Sequence, residues 1–183
     1  KSISDLGSCD LWHFNSAGKM TVKKFEKLEA RNDSAIIVAQ IEWRGGKKDA
    51  QDSDLLLTET RTLTISRPAG KRTQVDAQFV LKAARDLSLD GDLQHAGIHF
   101  RAADEVANRA KETSYLWEPD LPAGAGKIVS ADFKKSLKTE ETLKVNYRFL
   151  IEKVEKPGTS AEETAKARAD CAAQHEAFVK SVK

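Results

Sequence analysis

The chain is poor in cysteine, with two in 183 residues, Cys9 and Cys171, near opposite ends. They are not spaced as a metal or redox motif, and an even count permits one bridge without requiring it, so two reduced thiols are expected. A compact chain of this length can bury roughly 70% of its unfolded surface without disulfides or metal. Charge of one sign is also missing: thirty Lys and Arg face twenty-eight Asp and Glu, a net +2, and the two signs are interleaved. There is no basic field to track a phosphate backbone, which argues against a nucleic-acid partner. No apolar run approaches the roughly 18 residues that read as a membrane span. Residues 1–7 hold no hydrophobic signal region, so the expectation is a cytosolic chain or one already processed. A Gly-rich phosphate loop, a Gly-x-Ser-x-Gly elbow, a Cys-x-x-Cys pair and a His-Glu-x-x-His helix are all absent, and no repeat is visible. No cofactor is therefore expected.

What is present is alternation. Residues 34–44 place Ala35, Ile37, Ala39, Ile41 and Trp43 on one face, and Gly45-Gly46 ends the run. Residues 55–66 place Thr58, Thr60, Thr62 and Thr64 on one face, expected to meet solvent, and Leu55, Leu57, Glu59, Arg61, Leu63 and Ile65 on the other. Val75 to Ala83, Leu143 to Ile151 and residues 94–101 alternate in the same way. Residues 9–14, 111–118 and 127–133 read as further short strands, and residues 86–92 as a short strand or turn. Residues 19–30 fit helix spacing about as well as strand spacing, and their neighbours favour a strand. Residues 102–110 have helical composition over about two turns. Ser160 and Glu163 form a capping box opening a helix to about Val182, whose apolar stripe is thin and suits surface docking.

The expected fold is mainly β: an antiparallel β-sandwich with a short internal helix and one C-terminal helix. Residues 1–157 would form the sandwich domain, and residues 158–183 the helix packed on it.

Two clusters stand out. In residues 94–101, Gln-His-Ala-Gly-Ile-His-Phe-Arg, a strand would turn Ala96, Ile98 and Phe100 to the core and His95, His99 and Arg101 the other way. Four residues along a strand span about 13 Å, too far for His95 and His99 to share one ion at about 2 Å from each, so no metal is expected there. In residues 55–66, Glu59 and Arg61 interrupt an apolar row. Burying either without a partner costs several kcal/mol, so they must pair, bind a ligand or reach water.

Residues 55–64 (Leu-Leu-Leu-Thr-Glu-Thr-Arg-Thr-Leu-Thr), residues 90–102 with Glu105-Val106, and residues 143–151 (Leu-Lys-Val-Asn-Tyr-Arg-Phe-Leu-Ile) resemble the bacterial family called PmoA-like or methane oxygenase. The resemblance spans most of residues 9–155. It implies a sandwich or supersandwich of the mutarotase-like kind, usually exported, hence periplasmic or extracellular. It does not imply methane oxidation, because the subunit behind that name is an integral membrane protein and this chain has no such segment. The chain departs from the family in a shortened stretch between Phe133 and Leu143 and in lacking an upstream His-rich segment.

Together these features predict a carbohydrate-binding or carbohydrate-processing protein with a polar cleft on one sheet face. Glu59 would act as acid/base or hydroxyl acceptor and His99 as its proton-transfer partner, with Arg61, His95 and Arg101 as anchors and Trp43, among the candidates Trp12, Trp43, Tyr115, Trp117 and Tyr147, as an aromatic platform. Glu59 and Arg61 would meet His99 and Arg101 in a partly solvated cleft. The alternative is a non-catalytic structural or protein-interaction domain, in which Glu59 bonds only to Arg61 or to neighbours inside the fold.

Overall fold

The computed structural model describes residues 2–3, 9–11, 18–45, 54–68, 72–90, 103–109, 135–152 and 161–182. The chain is mainly β, as its alternation predicts. Five long strands, β3 (Lys19–Ala30), β4 (Ser34–Gly45), β5 (Asp54–Ser66), β6 (Arg72–Ala83) and β9 (Thr142–Glu152), form one antiparallel sheet in the order β3-β4-β5-β6-β9. Four short strands, β1 (Ser2–Ile3), β2 (Cys9–Asp10), β7 (Leu87–Asp90) and β8 (Lys135–Leu137), form a second sheet in the order β2-β1-β7-β8. α1 (Asp104–Ala107) is a single turn, shorter than the two turns expected, and α2 (Ala161–Ser181) is the C-terminal helix. Ser160 of the expected capping box, the expected strands at 111–118 and 127–133, and residues 94–101 lie outside the described residues.

Register assigns each side chain of the large sheet to a face, because directly opposed residues point the same way. One face carries the rows Trp43–Leu57–Ala83, Ile41–Glu59–Leu81–Leu143, Ala39–Arg61–Phe79–Val145 and Ile37–Leu63–Ala77–Tyr147. It is apolar except for Glu59 and Arg61. The other face carries Gln40–Thr60, Thr62–Gln78–Asn146 and Asp76–Arg148. These polar side chains bond to one another: Gln40 Nε2 donates to Thr60 Oγ1 at 2.9 Å, and Gln78 Nε2 donates to Asn146 Oδ1 at 3.0 Å. Thr58, Thr60, Thr62 and Thr64 are half-buried, not fully open to solvent as alternation suggested.

The apolar face is closed at one end by the small sheet. Leu87 and Leu89 of β7 and Leu137 of β8 pack with Leu56, Leu57, Leu81 and Ala83, and Leu11, Trp43 and Leu143 flank them. Burying a leucine contributes about 1.5–3 kcal/mol, so this cluster is the main apolar link between the sheets among the described residues. α2 lies on the opposite, polar face. There Asp170 accepts from Arg72 at 2.6 Å, and the Arg148 guanidinium stands 4.7 Å from the centre of the Phe178 ring. Arg148 is itself forked onto Asp76 at 2.6 and 2.7 Å, so the ring stacks on a cation whose charge is already compensated. The bonds to Asp76 hold the Arg148 guanidinium even more firmly protonated than usual.

Candidate functional site

Glu59 is fully buried. It sits on β5 at the edge of the leucine cluster, between Ile41 and Leu81, where an isolated carboxylate would be costly. Three bonds compensate it. Arg61, two residues on and therefore on the same face, donates from Nε to Oε1 at 2.6 Å and from Nη2 to Oε2 at 3.2 Å. Trp43, across the β4–β5 pair and one row nearer the core, donates its indole N–H to Oε2 at 2.7 Å. Charge-assisted forks of this kind are the stronger hydrogen bonds of proteins.

Arg61 spans two environments, with about a third of its side chain exposed (34%) against none for Glu59. Its guanidinium carbon lies 5.3 Å from the centre of the Phe79 ring, directly across the β5–β6 pair. Phe79 in turn meets Tyr147 edge to face, with centroids 6.0 Å apart and planes at 73°. Burial pushes the Tyr147 hydroxyl above the usual phenol range. Glu59, Arg61, Phe79 and Tyr147 thus form a gradient across the apolar face, from an enclosed carboxylate to a half-exposed cation with aromatic flanks.

This arrangement changes one reading made from sequence. Glu59 is not partly solvated: it is enclosed, and its bonds among the described residues run to Arg61 and Trp43 inside the fold. A carboxylate in that position neutralises Arg61 and fixes the direction of its guanidinium. Trp43 is partly buried, with its indole N–H donated to Glu59 and its ring against the leucine cluster. His95, His99 and Arg101 lie outside the described residues. Tyr147 stood out in the sequence as one candidate platform among five, and Phe79 only as a member of an apolar row, because nothing in a single sequence says which row stands opposite Arg61. Among the described residues no group of three or more His, Cys, Asp and Glu could hold a metal ion, and no helix is long and apolar enough to cross a membrane.

Residues 1–121 match a family described as a family of unknown function, DUF6807. The chain belongs to that family. The match includes Trp43, Glu59, Arg61 and Phe79, and it ends before β8, β9 and α2, so Tyr147 is supplied by the part of this DUF6807 chain beyond it. No curated protein and no solved structure matches the chain.

Proposed function

We propose that this protein binds a saccharide on the apolar face of its large sheet, at Arg61, without using Glu59 as a catalytic group. The observation that carries the reading is the divided role of Arg61. Its Nε and Nη2 are committed to Glu59, its Nη1 has no acceptor among the described residues, and its side chain is a third exposed. A guanidinium held in this way offers a donor of fixed direction to a hydroxyl or carboxylate oxygen, while Phe79 and Tyr147 supply the aromatic surface that covers a pyranose ring. Glu59 neutralises most of the charge, which suits neutral sugars as well as acidic ones. The resemblance of residues 55–64 and 143–151 to PmoA-like proteins, with the mutarotase-like architecture it implies, supports the same reading.

Calorimetric titration with a panel of neutral and uronic saccharides tests it. Dissociation constants in the millimolar range, equivalent to about −4 kcal/mol, are expected for at least one sugar, with binding lost in Arg61→Met and weakened in Tyr147→Ala. No heat from any sugar at millimolar concentration would remove the proposal.

A non-catalytic interaction role is favoured by a separate observation on β3, where Met20, Val22, Phe25 and Leu28 are about half exposed or more.

A further inference from the structure

β3 forms one edge of the large sheet, pairing with β4 alone among the described residues, and all twelve of its residues are exposed. Long, open, apolar-rich edges of this kind are templates for pairing with another strand. Which strand fits is written in the spacing of the exposed row. Register with β4 places Met20, Val22, Phe25, Leu28 and Ala30 on the apolar face, opposite Trp43, Ile41, Ala39, Ile37 and Ala35. Two bulges, between Val22 and Lys24 and between Phe25 and Lys27, replace the usual period of two with steps of two, three, three and two. That sequence of steps reads the same in both directions about Phe25.

We infer that β3 pairs antiparallel with β3 of a second copy of this chain, around a twofold axis at Phe25. In this register Phe25 faces the partner's Phe25, Val22 faces the partner's Leu28 and Met20 faces the partner's Ala30, so the apolar row continues unbroken from one sheet into the next. A twofold interface demands such self-complementarity. The charges obey the same symmetry. Lys24 falls opposite the partner's Glu26, twice per dimer, and both side chains are exposed with no ion pair among the described residues. Lys23 and Lys27, which would face each other, already lie against Glu42 at 3.6 Å and Glu29 at 3.2 Å. Of the lysines that would otherwise protect the edge from pairing, Lys24 is therefore matched across this register, and Lys23 and Lys27 each keep an acidic neighbour within their own chain.

Sedimentation equilibrium of the full chain and three variants tests the inference, with circular dichroism to verify folding. The parent should be dimeric at concentrations of about 10–100 µM. Phe25→Lys, which sets two ammonium groups across the axis, should give monomers. Lys24→Glu should raise the dimer dissociation constant about fivefold or more, and Lys24→Glu combined with Glu26→Lys should restore it to within about twofold of the parent. All three positions are exposed, so the variants leave the core intact. A parent that is monomeric at about 1 mM, association that survives Phe25→Lys unchanged, or a double variant no tighter than Lys24→Glu alone would each overturn the inference.

Discussion

Arg61 folds back along its own strand onto Glu59, closing a two-point fork at 2.6 and 3.2 Å, while its other side rests on the Phe79 ring. The two charges share one face of β5 because they are two residues apart, but their surroundings differ. Glu59 is enclosed beneath Trp43 and beside the leucine cluster, and Arg61 stands one row nearer the open end of the sheet. The pair is therefore asymmetric. An unpartnered Arg61 could turn toward water, whereas an unpartnered Glu59 could not.

Trp43 contributes a donor as well as apolar area. Trp43→Phe keeps most of the ring but removes the indole N–H from Oε2 of a buried carboxylate. The expected loss is about 1–3 kcal/mol, the cost of leaving a buried acceptor short of a bond, with an unchanged m-value in urea denaturation. A loss near zero would mean that water replaces the indole.

Asp86 ties the start of β7 to the turn after β8. It accepts from Lys138 Nζ at 2.7 Å, from the Thr139 N–H at 2.8 Å and from the Thr139 hydroxyl at 3.1 Å. These bonds, led by Lys138, hold its carboxyl down to about 2 from an ordinary 3.8. A pKa depressed on folding adds stability that is complete above the unfolded value of about 4 and is lost as pH falls through about 2. Carboxyl titration by NMR should place the Asp86 midpoint near 2. The parent should melt above Asp86→Asn near neutral pH, and the gap should close as pH falls through that window.

Phe178 is the buried anchor of a helix that otherwise presents mostly exposed residues to solvent. Phe178→Ala removes the ring stacked on Arg148, a tie that works beside the Arg72–Asp170 bridge. Hydrogen exchange should accelerate at least tenfold across residues 161–181, corresponding to about 1.4 kcal/mol or more of lost docking. Exchange in β4 and β5 should be unchanged, because the helix sits on the face away from the leucine cluster.

Four of the long strands, β4, β5, β6 and β9, were legible because each turns an apolar row to one face, and that writes a period of two into the sequence. Residues 34–45 and 54–66 show this most clearly. β3 was ambiguous for a reason the structure explains. Its two bulges space Met20, Val22, Phe25 and Leu28 by two, three and three residues, which imitates a helix. β1, β2 and β8 hold only two or three residues each, too few to establish any period, and β1 and β8 were not anticipated. Within the site, the Glu59–Arg61 pair was visible as two charges in an apolar row. The bond from Trp43 to Glu59 was not, because the contact depends on cross-strand register, and a slip of one residue would turn Trp43 to the other face. The bulge between Trp43 and Arg44 lies beyond any rule of alternation.

The most direct measurement is equilibrium denaturation of Arg61→Met, Glu59→Leu and the double variant carrying both. If Glu59 is an enclosed carboxylate whose role is to hold Arg61, Arg61→Met strands a buried charge and costs about 3–5 kcal/mol. Glu59→Leu alone frees a half-exposed guanidinium that can hydrate, and should cost less. The double variant, with no charge left to strand, should recover most of the Arg61→Met loss. An Arg61→Met loss below about 1 kcal/mol, the range of an exposed ion pair, or no recovery in the double variant, would contradict the account.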